Sequence, residues 1–337
     1  MIDLLPWHRE PLDALMARRA TLPHAMLIHG KQGIGKVEFA RALAQSLLCE
    51  SPEEGIACGK CAACGWFNEG NHPDFRELMP ESLSEDDVAE PSEDSSAAEK
   101  KKSKEIKIEQ VRDIGDFITL STHRDGFRVL LIHPAETMNQ SAANALLKTL
   151  EEPPARSIIL LVTDQLGRLL ATLRSRCQRI SLPSPDSATA LQWLNTQNVQ
   201  HAGEALAMAG GAPLDAVAFA DDAYQAERKA FVAALTDPAG DYAAAAQTFE
   251  KSDLVSIITW LQTWVADIVL ARLAGEVRHH VDAKKYIDDI AARVELAKLF
   301  RYESALRQTR HSIAHPLNAR LLLEQLLISY QEAVRQA

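Results

Sequence analysis

Ala25-Met26-Leu27-Ile28-His29-Gly30-Lys31-Gln32-Gly33-Ile34-Gly35-Lys36-Val37 is the stretch from which the fold is read. Its first four residues form an apolar run that reads as a buried strand, and the glycines that follow read as a turn. Phe39-Ala40-Arg41-Ala42-Leu43-Ala44 then opens a helical pattern. Gly30 to Lys36 has the glycine and lysine spacing of a Walker A loop. The strand–turn–helix context makes Gly30, Gly33, Gly35 and Lys36 candidates for holding a nucleotide phosphate. Such a loop offers backbone N–H groups to an anion. The residue after the lysine, where a Ser or Thr hydroxyl would hold Mg²⁺, is Val37. A branched hydrocarbon cannot ligate a hard cation.

Working outward, Arg128-Val129-Leu130-Leu131-Ile132 and Ile158-Ile159-Leu160-Leu161-Val162 are two further buried-strand candidates. Between them lies a helix, Ala142 to Leu150, stopped by Pro153-Pro154. Before them, Ile108, Val111, Ile114 and Ile118 recur at helical spacing. Apolar runs alternating with helices predict an α/β domain, a parallel sheet covered on both faces. From Pro183 onward the signal is helical throughout, and Trp260 and Trp264 are read as core. A nucleotide-hydrolysing domain needs acids at the end of a second strand to place Mg²⁺ and the attacking water. Here Val129–Ile132 runs into His133-Pro134, and Glu136 lies past the strand end. Imidazole is a poor Mg²⁺ ligand and proline activates nothing. With Val37, these losses predict a site without a Mg²⁺ position that does not hydrolyse ATP.

The chain has 337 residues, room for two or three domains. Its formal charge of −10 argues against strong sequence-independent DNA binding by the isolated chain. No uninterrupted apolar run reaches the roughly 18 residues of a membrane span, and Met1-Ile2-Asp3-Leu4-Leu5-Pro6 has no basic leader. The expected compartment is the cytoplasm. Residues 81–104 carry acidic, Ser-rich and Lys-rich stretches with almost no apolar content, which predicts a disordered insertion.

Cys49, Cys58, Cys61 and Cys64 follow one another as C-x8-C-x2-C-x2-C. Four thiolates at short spacing specify a closed tetrahedral site for structural Zn²⁺, with no position left for a catalytic water. Free thiols packed as small hydrophobes would need a core that Gly59, Lys60 and Gly65 do not supply. Further on, Leu173-Arg174-Ser175-Arg176-Cys177 follows the 158–162 strand. An arginine there can stabilise charge developing on a phosphate, including one held by a neighbouring subunit.

Asn144-Ala145-Leu146-Leu147-Lys148-Thr149-Leu150-Glu151-Glu152-Pro153-Pro154 looks like the signature of the clamp-loader AAA+ ATPases, and Leu173–Cys177 resembles their SRC motif. The cysteine cluster and His72-Pro73-Asp74 also fit that family, and the resemblance spans roughly residues 1–215. It implies an AAA+ core over 1–180 with a zinc module at 49–64, a helical lid over 181–222 and an all-α collar over 223–337. It further implies that Arg176 is an arginine finger acting in trans on a neighbour's ATP. Thr163 falls at the sensor-1 position, and Leu214 stands where a sensor-2 arginine is expected. Gly30, Gly33, Gly35, Lys36 and Thr163 would form a degenerate nucleotide site with weak or no ATP binding. The implied assembly is a hetero-oligomer with motor (gamma/tau) and delta subunits, acting on a sliding clamp and primed DNA through the complex and not on a membrane. The implied role is a non-hydrolysing stator in a DNA polymerase holoenzyme. The alternative is an ATP-hydrolysing motor subunit. A zinc-dependent nucleic-acid-binding module is disfavoured by the acidic balance and the lack of interleaved basic and aromatic residues.

Overall fold

The computed structural model describes residues 4–83, 102–119, 126–237, 240–312 and 318–335. The contacts divide the chain into two compact units, Met1–Pro185 and Asp186–Ala337. In the first, α1 (Arg9–Met16) precedes β1 (Ala25–His29), α2 (Lys36–Leu48), α3 (Ala62–Asn68) and β2 (Phe75–Leu78). Then follow α4 (Ile108–Thr119), β3 (Arg128–Ile132), α5 (Gln140–Glu151), β4 (Ser157–Thr163), α6 (Ala171–Arg174) and β5 (Gln178–Ser181). The five strands form one parallel sheet in the order β2-β3-β4-β1-β5.

Successive strand residues point to opposite faces, and both faces are covered. Met26, Ile28, Val129, Leu131, Ile158 and Leu160 pack on the side of α1 and α2. Leu27, Leu130, Ile132, Ile159 and Leu161 pack on the side of α4 and α5. That two-sided burial explains why these strands read as unbroken apolar runs. Each such side chain contributes about 1.5–3 kcal/mol by leaving water.

The edge strands β2 and β5 escape the sequence reading because Phe75-Arg76-Glu77-Leu78 and Gln178-Arg179-Ile180-Ser181 mix charge with apolar residues. Charged side chains are what an edge strand carries to discourage further pairing. The first α-helix runs from Arg9 to Met16. Most of the 81–104 insertion lies outside the described residues. Its two ends are pinned together: Ser82 N–H donates to the Ser103 carbonyl at 3.0 Å, and Lys107 pairs with Glu81 at 2.8 Å.

β2 is tied to the sheet by an ion pair. Arg128 at the start of β3 reaches Asp74 at 3.0 Å, both side chains almost fully buried, and its guanidinium also lies over the Phe117 ring. The His72-Pro73-Asp74 segment is therefore structural here, because its carboxylate neutralises a buried cation.

The second unit is helical throughout its described residues. α7 (Ser187–Thr196), α8 (Ala202–Met208) and α9 (Pro213–Phe219) share a small core around Leu194 and Leu206. α10 (Asp222–Thr236), α11 (Tyr242–Thr248), α12 (Leu254–Ala274), α13 (Lys284–Arg293), α14 (Leu296–Ser312) and α15 (Ala319–Val334) form a larger bundle. Trp260 and Trp264 lie in its core, donating to the hydroxyls of Tyr224 and Tyr330 at 2.6 and 2.8 Å. α12 is, by length and composition, apolar enough to cross a membrane, although polar residues such as Ser256, Gln262, Asp267 and Arg272 interrupt its apolar run. In this fold it is the bundle's central helix, packed on α13 and α14. Its fully buried Asp267 accepts the amides of Arg278, His279 and His280.

Candidate functional site

The phosphate loop joins β1 to α2 over Gly30–Gly35. Gly35 caps α2 in the left-handed region (φ +86°), and a Cβ there would overlap the Leu5 Cδ1 methyl and stand 2.9 Å from His8 Cε1. A Cβ on Gly30 would stand 2.7 Å from the Leu182 carbonyl oxygen. Only glycine fits between these walls. Gly33 is also left-handed, at φ +74°. The outer wall is the segment before α1. Trp7 Nε1 and His8 Nε2 both donate to the Ile34 carbonyl, at 2.8 and 2.9 Å. His8 is buried, and burial pushes its pKa down from 6.5 to about 4, partly opposed by the bond to Ile34.

Lys36 opens α2 with its side chain buried. Its ammonium donates to the Lys31 carbonyl and pairs with Asp164 Oδ1 at 2.5 Å. Asp164 directly follows Thr163, the last residue of β4, and Thr163 is in register with His29 at the end of β1. The buried Thr163 hydroxyl accepts the Gln165 amide at 3.0 Å. The fold thus brings Gly30, Gly33, Gly35, Lys36 and Thr163 together at one end of the sheet. Burial lowers the pKa of His29 beside them, helped by the positive charges of Arg179 and Lys36.

Val37 and His133, at the positions where Mg²⁺ ligands are expected, meet other partners. Val37 packs against the core beneath the loop. At the end of β3, the His133 Nε2–H donates to Glu77 Oε1 on β2 at 2.6 Å. Arg41 on α2 reaches the same oxygen through Nη2 at 2.7 Å and Nε at 2.9 Å. Burial alone would raise the Glu77 pKa. The hydrogen bonds and charges of His133 and Arg41 outweigh it and hold the carboxyl below its ordinary value. A carboxylate already shared by two basic groups is a poor place for a dication that takes several oxygen ligands. Glu136 lies past the end of β3, and its Oε1 accepts the Asp164 amide at 3.2 Å. The sequence reading misses Arg41, Glu77, Asp164 and the Trp7–His8 wall. Only Asp164, next to the candidate residue Thr163, carries a positional signal.

The two arginines of Leu173–Cys177 part company. Arg174 turns inward, donating to the Leu166 carbonyl at 3.4 Å with its Nε buried. Arg176 stays at the surface, 36% exposed, paired with Glu151 at 2.6 Å. Cys177 is buried, and burial pushes its thiol pKa up to about 11, so it remains protonated. Leu214 lies in the first turn of α9 in the second unit.

Cys49, Cys58, Cys61 and Cys64 converge between the end of α2 and the start of α3, all four sulfurs lying within 4.8 Å of one another. A tetrahedral site with metal–sulfur bonds of about 2.3 Å has edges of about 3.8 Å. Cys49 Sγ stands 3.6 Å from Cys58 Sγ and 3.9 Å from Cys61 Sγ, so the cluster fits. Backbone amides of Cys58, Lys60 and Cys64 donate to the sulfurs of Cys49, Cys58 and Cys61 at 3.3–3.5 Å, which favours thiolates. The Ser51 hydroxyl and the Lys60 amide pull the Cys58 pKa down to about 6. Burial raises those of Cys49 and Cys64. A bound cation would offset that burial penalty, and the four side chains together could hold one metal ion.

Comparison with known proteins agrees with this architecture. The family model described as "DNA polymerase III, delta subunit" matches residues 12–186, and "DNA polymerase III, delta subunit, C terminal" matches residues 223–332. DNA polymerase III subunit delta' of Pseudomonas aeruginosa is 33% identical over 98% of this chain and 98% of its own length. The delta' subunit of Escherichia coli is 29% identical, covering 96% and 94%. The tau subunit of Escherichia coli is 31% identical over 59% of this chain, equal to 29% of its own length. With nearly full-length delta' relatives and family models matching both the sheet domain and the helical bundle, this chain belongs to the DNA polymerase III delta' subunit family.

Proposed function

We propose that this chain is the non-hydrolysing stator of a DNA polymerase III clamp loader. The observation that carries the reading is the His133–Glu77–Arg41 cluster where an ATPase needs acids free for Mg²⁺. Val37 removes the hydroxyl ligand on the other side. The glycine turn and Lys36 remain as a scaffold, with Asp164 neutralising the lysine, so nucleotide binds weakly or not at all. Leu214, without a charge at the sensor-2 position, removes a further phosphate contact.

The chemistry left to this subunit is Arg176. Its exposed guanidinium would reach ATP held by an adjacent gamma or tau motor subunit and stabilise charge on the phosphoryl group in transfer. A finger of this kind is worth about 10³-fold or more in turnover at the site it serves. Residues 181–222 would act as a helical lid and 223–337 as the collar joining the other subunits, delta among them. The whole would load the sliding clamp on primed DNA in the cytoplasm. Cys49, Cys58, Cys61 and Cys64 would hold a structural Zn²⁺ that ties α2 to α3 and takes no part in the reaction.

Two measurements test this. The purified chain should show no Mg²⁺-dependent ATP turnover; appreciable turnover would instead make it a motor subunit. A reconstituted loader carrying Arg176→Ala should fold and assemble but lose ATPase and clamp loading. Unchanged activity there eliminates the trans-acting finger.

A further inference from the structure

Arg176 is not a free surface side chain. Its Nη2 meets the Glu151 carboxylate at 2.6 Å, while Nη1 donates to the Thr172 carbonyl at 3.1 Å and lies 3.5 Å from the Ser175 hydroxyl. Three acceptors thus hold both terminal nitrogens. Glu151 is the last residue of α5. A carboxylate there faces the negative end of the helix dipole, a place that favours cations. Among the described residues its ion-pair partner is Arg176, half of the Glu151 side chain remaining in solvent. A guanidinium carries five N–H donors. Three acceptors leave at least two donors for a phosphate.

We propose that Glu151 is a positioning residue for Arg176, holding the guanidinium ordered at the domain surface in the pose from which it meets a neighbour's triphosphate. The inference rests on the trans-finger reading given above. Arginine has several rotatable bonds, and ordering it only when the nucleotide arrives would add that entropy loss to the reacting complex. The Glu151–Thr172–Ser175 clamp orders it beforehand, in the folded subunit. Because the pair is solvent-exposed, its effect is modest.

The test uses loaders reconstituted with the motor and delta subunits, clamp and primed DNA, carrying Glu151→Gln, Arg176→Ala or both in this chain. Glutamine keeps the shape of the side chain and removes its charge. Glu151→Gln should lower kcat for ATP about two- to five-fold with KM unchanged. It should have no further effect in the Arg176→Ala background, which a merely structural role would not reproduce. An unchanged or raised kcat in a loader that Arg176→Ala impairs overturns the role of Glu151 and leaves the finger standing. So does a loss from Glu151→Gln that persists at full size without Arg176. If Arg176→Ala itself has no effect, the finger reading and this inference fall together.

Discussion

Replacing His8 with glutamine removes a proton-binding group from the wall of the phosphate loop while leaving a donor for the Ile34 carbonyl. His8 is 1% exposed, and burial lowers its pKa from 6.5 to about 4 in the folded chain. The folded state therefore prefers the neutral ring. The stability this preference contributes is complete above pH 6.5, where the unfolded chain is also neutral. It is lost as pH falls towards 4, because the unfolded chain takes up the proton first. At 1.36 kcal/mol per pH unit, the loss is about 2 kcal/mol by pH 5 and about 3 kcal/mol below pH 4. Hydrogen exchange of the β1 and α2 amides, corrected for intrinsic rates between pH 7.5 and 4.5, reports the stability of this unit alone. Carboxylates common to both proteins cancel in the difference, so the wild type should lose about 2 kcal/mol more than His8→Gln by pH 5. Parallel profiles for the two proteins, or a His8 imidazole titrating near 6.5 by NMR, would refute the reasoning.

Other outcomes follow from the same packing. Gly35→Ala forces a Cβ into Leu5 and His8 at a left-handed φ and should cost roughly 2–4 kcal/mol in denaturant unfolding. Asp74→Ala strands the buried Arg128 and should cost roughly 3–5 kcal/mol; a loss below 1 kcal/mol would show that the pair is dispensable. On the proposed stator reading, Val37→Thr alone should not create Mg²⁺-dependent ATP turnover, since Glu77 stays paired with His133 and Arg41; measurable turnover after that single change would contradict this. Metal analysis should find about one zinc per chain, and a strong chelator should abolish exchange protection over residues 49–64 while sparing the second unit.

Much of the fold is legible in the sequence because the central strands are buried on both faces. Burial on two sides demands a continuous apolar run, and such runs at Ala25–Ile28, Val129–Ile132 and Ile158–Val162 stand out against the helical spacing around them. The edge strands β2 and β5 are not legible, since one exposed edge admits arginine, glutamate and glutamine. The cysteine cluster is legible from spacing alone, because ligands that must surround one ion lie close in sequence. Arg41 and Glu77, the partners of His133, are not: the three come from different elements, and no local pattern marks residues that meet only when β2 lies beside β3 and α2 packs on β3.

By itself, the sequence determined that a glycine turn of Walker A spacing lies between a strand and a helix, that Val37 and His133-Pro134 stand where a hydroxyl and acids would hold Mg²⁺ in a hydrolysing site, and that four cysteines lie at metal-ligand spacing. Those are properties of residue type and near spacing, which survive without a fold. The tertiary structure decided which partners these residues meet. It put Asp164 on Lys36, Arg41 and His133 on Glu77, and Glu151 on Arg176. Each pairing joins polar or charged groups far apart in the chain, and an electrostatic interaction depends on distance in space, which only the packed sheet and helices set.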